Sequence, residues 1–149
     1  DRYEVVMIDD ASTDDSVSFV RTHYPAVRII ALTTNHGFDK ACNLAAKVVR
    51  GDFLVLLNND AVPEPGWLDA LAEALQAHPQ AGAATSKMLL YDQRDRLHNA
   101  GDMMGQDGIP RNRGVWEIDR GQYDDAVWVF SGCGGAVAYR RAVWEALGG

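Results

Sequence analysis

Cysteine and long apolar runs are scarce in this sequence. The two cysteines, Cys42 and Cys133, form no CxxC motif and lie in no Cys/His cluster, so neither a zinc site nor a disulfide framework is indicated. We expect two free thiols in a reducing, cytoplasmic compartment, at the inner face of the membrane if a longer parent protein carries a membrane segment. No apolar run exceeds the length of residues 53–57, which is far too short to span a bilayer, and no signal-peptide pattern opens the chain.

Positive charge is also in short supply. The chain has 14 Lys and Arg against 21 Asp and Glu, a net charge of -7, and no run of basic residues. Because this charge repels a phosphate backbone, we expect no nucleic acid partner. A smaller anion such as a nucleotide diphosphate would need a metal ion or helix N-termini to offset the repulsion. The 149 residues, 47% of them hydrophobic, predict one domain with its own core.

Short apolar runs alternate with helical patterns over the first 90 residues. The runs that predict strands are residues 3–8, 27–32, 53–57 and 83–90. A helix is predicted after each of the first three strands, and Ser12 or Thr13 is expected to cap the first helix. This alternation predicts an α/β fold, with a mostly parallel central sheet inside a three-layer α/β/α sandwich. Ligands of such sheets bind outside the carboxyl ends of the strands.

The pattern changes after residue 90. Residues 91–126 are polar, rich in glycine and weakly periodic, which predicts a long loop. Loops of this length usually have a function, so we expect a lid or an acceptor-facing role. A strand at 127–130, a glycine-rich stretch at 131–135 and a short helix at 141–147, ended by Gly148 and Gly149, complete the prediction.

Carboxylates follow two of the predicted strands. Asp60 ends the third strand, where a carboxylate can hold a divalent cation that bridges two phosphates; capping of the next turn is the alternative. Asp9 and Asp10 follow the first strand and point opposite ways, so they are not expected to form an acid/base dyad. One of them is a candidate to accept a hydrogen bond from a base or a ribose, and turn capping is again the alternative.

Three further residues are weaker candidates. Gly132 and Gly134 would let the backbone approach a ligand, but a tight turn or close packing explains them equally well. The stretch lacks the lysine and the spacing of the known phosphate-binding loops. Trp116, inside the long loop, is the best candidate for stacking on a sugar face. No histidine is assigned a catalytic role.

Taken together, these motifs resemble the family 2 glycosyltransferases with the GT-A fold, particularly their bacterial rhamnosyltransferase-like branch. The resemblance covers nearly the whole chain and follows the family's order of signatures. The matching segments are residues 5–14, residues 35–38 with Asn43, residues 56–60 followed by 65–68, and residues 130–136 through 139–149.

The resemblance implies an inverting transfer from a nucleotide-diphosphate sugar to the hydroxyl of a saccharide or lipid-linked acceptor, in cell-surface polysaccharide synthesis. Asp60 would hold Mg²⁺ or Mn²⁺. Asn58 stands where the family usually has the first aspartate of an Asp-x-Asp pattern, and would contact ribose or phosphate. Asp9 would read the base, with Asp10 nearby. Further contacts to the nucleotide sugar are expected from Ser12, Asn35, Gly37, Asn43 and Asn59.

The resemblance also implies a domain truncated at both ends. The family's general base lies in an acidic pair beyond the position of Gly149, so no catalytic base is expected within the chain and no turnover from it alone. The family's opening strand has no counterpart before residue 3, which would leave an open sheet edge and a possible homodimer. Residues 1–90 would form the nucleotide-sugar half, 91–126 an acceptor-side loop, and 127–149 the strand and helix before the base region.

Two alternatives stay open from the sequence. The first is a catalytically silent nucleotide-binding or interaction module of the same fold. The second is a nucleotidyltransferase, which usually has a glycine-rich loop with basic residues after its first strand. No such loop follows the first predicted strand here.

Overall fold

The computed structural model describes residues 3–125 and 128–149. The helices of this part are α1 (Ser16–His23), α2 (Phe38–Ala46), α3 (Trp67–Ala77) and α4 (Arg141–Leu147). Its strands are β1 (Val6–Asp9), β2 (Arg28–Ala31), β3 (Phe53–Leu57), β4 (Ala83–Thr85), β5 (Met88–Leu89), β6 (Leu97–Asn99), β7 (Asp102–Met104), β8 (Pro110–Asn112) and β9 (Ala136–Arg140). Within these residues, no helix combines the length and the apolar character needed to cross a membrane.

The main strands form two hydrogen-bonded groups. β1 and β2 are parallel, as predicted for two strands joined by a helix. β9 lies between β3 and β4 and is antiparallel to both, so β3 and β4 run in the same direction with α3 between them in sequence. The α/β class is therefore confirmed. The expectation of a mostly parallel sheet needs a correction, because β9 was not predicted and runs against its neighbours.

Helices cover both faces of the sheet formed by β3, β9 and β4. Leu71 and Leu75 of α3 pack on Ala138 of β9 at one face. Side chains alternate along a strand, so Leu56 of β3 points to the other face, where it lines a cleft with residues of α2 and α4. Helix, sheet and helix thus form the three layers that the sequence predicts.

Two consecutive arginines attach the ends of helices to this sheet. Arg140 is the last residue of β9, and its guanidinium donates hydrogen bonds to the carbonyls of Leu75, of His78 at 3.2 Å and of Ala81 at 2.8 Å. The last carbonyls of a helix have no partner within the helix, and a cation there also favours the helix dipole. Arg141 has the same relation to the end of α2, donating to Ala46 at 3.2 Å and to Gly51 at 2.7 Å.

The stretch after β4 differs most from the prediction. Residues 91–125, called the arm below, are not a structureless loop, since they contain β6, β7 and β8. Leu97 and Asn99 are fully buried within it. The predicted strand at 83–90 is broken into β4 and β5, which pair with different strands. Each of these strands has three residues or fewer, too few to show a period of two in the sequence.

Two smaller predictions are wrong. Residues 128–130 form no strand, and Val127 lies outside the described residues. Neither Ser12 nor Thr13 caps α1, which begins at Ser16. The cap position is occupied by Asp15, whose side chain makes no capping hydrogen bond, and the carboxylate of the preceding Asp14 accepts from the backbone N–H of Ser16 at 3.0 Å. This interaction with Ser16 holds the pKa of Asp14 below its usual value.

A lysine between β4 and β5 ties the arm to the sheet. Lys87 donates to Asp119 at 2.8 Å and to Asp124. The hydrogen bond from Lys87 lowers the pKa of Asp119, and the two carboxylates, Asp119 first, raise the pKa of Lys87. This link between the arm and the sheet therefore depends on the positive charge of Lys87 and the negative charge of Asp119.

Acid is expected to loosen the arm. Because the pKa of Asp119 is lowered in the folded state, its contribution is present above the unfolded value of about 3.9 and is lost as the pH falls through the lower folded value. Hydrogen exchange at the Asp119 amide, which donates to Asp95, corrected for intrinsic rates, should speed up below about pH 4. Lys87→Met should show a smaller acceleration over this range, because only the hydrogen bond from the Gly121 N–H to Asp119 is then left to lower its pKa. Identical pH profiles for the two proteins would contradict the tie.

Candidate functional site

Asp9 is a buried carboxylate at the carboxyl end of β1. It is 5% exposed, and its Oδ2 accepts a hydrogen bond from the backbone N–H of Ser12 at 3.2 Å. Its Oδ1 is also buried and has no hydrogen-bond partner within the described residues. Ala11 between them has a positive φ of 65°, which is costly for alanine and closes the turn. A buried carboxylate oxygen without a partner is rare, and it indicates a position where a ligand can donate.

Asp10 differs from Asp9 because both of its carboxylate oxygens have partners in the protein. Its two oxygens accept hydrogen bonds from the backbone N–H groups of His36 and Gly37, both at 2.7 Å. The side chain of Asn35 also accepts from Gly37, at 3.1 Å. Gly37 has a φ of 84°, a conformation that favours glycine. Asp10 therefore fixes the loop that leads from β2 into α2, 26 residues away in sequence.

Asn58 follows the last residue of β3, at the same edge of the fold as Asp9 and Asp10. Its backbone N–H donates to the carbonyl of Gly135 at 2.9 Å. The preceding Gly134 lies against Phe38, since a Cβ on this glycine would be 3.1 Å from the Phe38 ring. Phe38 directly follows the loop that Asp10 holds, so these contacts bring the carboxyl ends of β1 and β3 to one site.

Asn59 and Asp60 follow Asn58 and are exposed. Within residues 3–125 and 128–149, the Asp60 carboxylate forms no hydrogen bond or ion pair. The same residues contain no group of three or more His, Cys, Asp or Glu side chains that could hold a metal. A metal site made by protein groups alone does not fit this edge. A cation held by Asp60 together with the phosphates of a ligand and water does fit, because Mg²⁺ is commonly bound in this way.

The residues 131–135, called the glycine segment below, are closely packed. A Cβ on Gly132 would lie 2.7 Å from the Cβ of Thr85 and 2.8 Å from a methyl of Val137. Close packing thus accounts for Gly132 and, through Phe38, for Gly134. Contact of either glycine with an acceptor stays a prediction. Thr85, whose buried Oγ1 has no partner in the described residues, was missed because a threonine in a short strand has no distinctive pattern.

Asn43 of α2 lines a cleft that Phe38 and Gly134 also line. This cleft of about 360 Å³ lies between α2 and α4, and its other lining residues include Cys42, Tyr139 and Trp144. Its buried Oδ1 has no partner within the described residues and lies beside Gly149. A contact between Asn43 and a nucleotide sugar stays a prediction.

Trp116 is on the arm and 63% exposed. Its backbone has a positive φ of 66°. Two hydrogen bonds hold it there, since its N–H donates to Leu97 at 2.9 Å and its carbonyl accepts from Arg96 at 3.0 Å. The indole is thus presented to solvent by a fixed backbone. Stacking on an acceptor sugar stays a prediction for this residue.

Known proteins resemble this chain over nearly its whole length. The family described as glycosyl transferase family 2 matches residues 1–148. The O-antigen biosynthesis protein RfbC of Myxococcus xanthus is 31% identical over 160 residues, which cover 99% of this chain and 12% of that protein. The chondroitin synthase of Escherichia coli is 38% identical over 65 residues, 42% of this chain and 9% of the synthase.

A solved structure has the same fold. The mannosyltransferase of Pyrobaculum calidifontis, in complex with GDP-Man and Mn²⁺, superposes with a TM-score of 0.64 at 23% identity, over 98% of this chain and 37% of that one. The chain therefore spans a small part of its relatives. The family match argues against the nucleotidyltransferase alternative. By its sequence and its GT-A type α/β fold, the chain belongs to glycosyl transferase family 2.

Proposed function

We propose that this domain binds a nucleotide-diphosphate sugar for inverting transfer to an acceptor hydroxyl in cell-surface polysaccharide synthesis. The observation that carries the proposal is the buried, unpartnered Oδ1 of Asp9 at the edge that also holds Asn58 and Asp60. Membership of the family supports it. So do the relatives named for O-antigen biosynthesis and chondroitin synthesis, and the similar fold solved with GDP-Man and Mn²⁺.

The donor nucleotide is held in this proposal by the end of β1 and the loop before α2. Asp9 accepts a hydrogen bond from a base N–H or a ribose hydroxyl through its free oxygen. Asp10 acts through the backbone, by fixing the loop that contains Asn35 and Gly37. Ser12, Asn43 and Asn59 are further proposed contacts to the nucleotide sugar.

Asp60 holds the divalent cation, Mg²⁺ or Mn²⁺, together with the two phosphates, while Asn58 contacts ribose or phosphate. When bound, the cation stabilises the charge that develops on the departing diphosphate. With a net charge of -7, such a cation favours donor binding because it offsets the repulsion between the protein and the diphosphate.

The acceptor, a saccharide or a lipid-linked saccharide, lies on the side of the arm, with Trp116, Gly132 and Gly134 as candidate contacts. No residue within 1–149 is proposed as the general base. The free thiols of Cys42 and Cys133 agree with a cytoplasmic location, at the inner face of the membrane in a longer protein. β1 pairs on one edge only within the described residues, which supports a homodimer through its other edge.

Calorimetric titration of UDP, dTDP and GDP, with and without Mn²⁺, tests the proposal. One nucleotide should bind and should bind more tightly with Mn²⁺. Asp60→Ala should remove this metal dependence, at a cost of about fivefold in Kd, because an exposed contact between opposite charges contributes up to about 1 kcal/mol.

The matched control is Asp52→Ala, which makes the same charge change just before the amino end of β3 and should bind like the wild type. Binding of no nucleotide would contradict the proposal, and so would metal dependence that survives in Asp60→Ala. Binding without transfer, even in a longer protein that contains the base region, would favour the catalytically silent module.

A further inference from the structure

The glycine segment is held between the candidate donor site and the arm. At one end, Gly135 accepts the hydrogen bond from the backbone of Asn58 at 2.9 Å. In the middle, Gly132 packs on Thr85 so closely that a Cβ would not fit. At the other end, Ser131 pairs with Asp102 of the arm. A displacement of this segment would therefore move the carbonyl of Gly135, and with it the hydrogen-bonded backbone of Asn58.

Asp102 makes its contacts through both backbone and side chain. Its N–H donates to the carbonyl of Ser131 at 2.9 Å, and its carbonyl accepts from Phe130 at 2.9 Å. Its Oδ2 accepts from the hydroxyl of Ser131 at 3.0 Å, and its Oδ1 accepts from the side-chain amide of Asn99 at 2.9 Å. Asn99 is fully buried and also accepts from the N–H of Gly101. The carboxylate is thus fixed within the arm on one side and bound to the glycine segment on the other.

The charge of Asp102 also affects a side chain of β9. Burial, followed by the charge of Asp102, raises the pKa of the Tyr139 phenol. The carboxylate therefore lies close enough to the central strand for its charge to be felt there, although it belongs to the arm. No other carboxylate of the arm in the described residues is bonded to the glycine segment.

We propose that Asp102 is a positioning residue of the donor site, which sets the position of the Asn58 backbone through Ser131 and the glycine segment. The proposal rests on the proposed function in so far as Asn58 belongs to a donor site. Its consequence is that the arm and the donor site are coupled: a change in the arm alters donor binding, although Asp102 itself does not contact the donor.

The test compares Asp102→Ala and Ser131→Ala with the wild-type chain by hydrogen exchange and nucleotide titration. Loss of one hydrogen bond should speed exchange of the Asn58 amide by about fivefold, and should weaken Mn²⁺-dependent nucleotide binding by a similar factor. Ser131 is exposed, so its truncation should leave folding intact. Asp102→Asn should behave nearly like the wild type, because an amide can still accept from Asn99 and can donate to the Ser131 hydroxyl.

Asp107→Ala is the matched control, since it removes another carboxylate of the arm, one paired with Arg111 at the tip of the β7–β8 hairpin. It should leave Asn58 unchanged. The proposal is overturned if Asn58 exchanges at the wild-type rate in both test variants, or if amides throughout β3 and β9 accelerate equally, which would mean general loosening. If the wild type binds no nucleotide but Asn58 still responds, the donor-binding function fails while the mechanical link from Asp102 to Asn58 stands.

Discussion

Replacing Arg140 with methionine should lower the free energy of unfolding by about 3 kcal/mol, because hydrogen bonds to a charged group contribute roughly 1.5–3 kcal/mol and lost ones leave partly buried carbonyls unpaired. The guanidinium is bonded to the carbonyls of Leu75, His78 and Ala81, and it also lies over the ring of Phe53, 5.7 Å from its centre. Methionine keeps most of the aliphatic volume, so the change reports the lost bonds rather than a cavity. Urea unfolding followed by circular dichroism measures it.

Arg94→Met is the control for this change. Arg94 pairs with Glu64 on the surface, where both side chains are more than half exposed, and such pairs contribute at most about 1 kcal/mol. A urea midpoint for Arg140→Met no lower than that of Arg94→Met would contradict the prediction. It would mean that water hydrogen-bonds the carbonyls at the end of α3 as well as Arg140 does. A changed dependence on urea concentration would instead indicate an altered unfolded or folded state.

The elements that the sequence predicts well are those whose stability is local. β3 lies at the predicted residues because its five consecutive apolar side chains, 53–57, favour a strand, although only Leu54 is fully buried and Leu57 is exposed. The helices α2, α3 and α4 follow their apolar spacing. β9 was missed because residues 136–140 run directly into α4 and their strand character comes from pairing with β3, whose paired residues lie 79 to 87 positions earlier in sequence.

The candidate site likewise has residues that the sequence predicts and contacts that it does not predict. Asp9, Asp10 and Asn58 could be found because polar residues that end buried strands of an α/β fold face one edge. What each side chain does there was not predictable. Asp10 acts on backbone N–H groups 26 and 27 residues away, and Asp102 acts on a serine 29 residues away. Such contacts depend on the folded path of the arm, whose strands are too short to be recognised.

Asp9 combines a cost in stability with a proposed gain in binding. A buried carboxylate oxygen without a partner costs free energy in the protein without its ligand, since water has been removed and nothing replaces it. Its Oδ2 is engaged by Ser12, so the side chain cannot simply turn to satisfy Oδ1. The unpaired oxygen is therefore useful if the ligand brings a donor.

Asp9→Asn should weaken binding of the nucleotide found by titration by roughly 10- to 150-fold, because a hydrogen bond to a charged acceptor contributes about 1.5–3 kcal/mol. The amide oxygen can still accept from Ser12, and this leaves an N–H group facing a ligand donor. Stability without ligand should stay equal or rise, because a buried charge has been removed. Calorimetry and thermal unfolding of the same samples measure the two effects. Unchanged affinity would show that Oδ1 does not face the nucleotide, and a loss of stability would show that the carboxylate has a structural role instead.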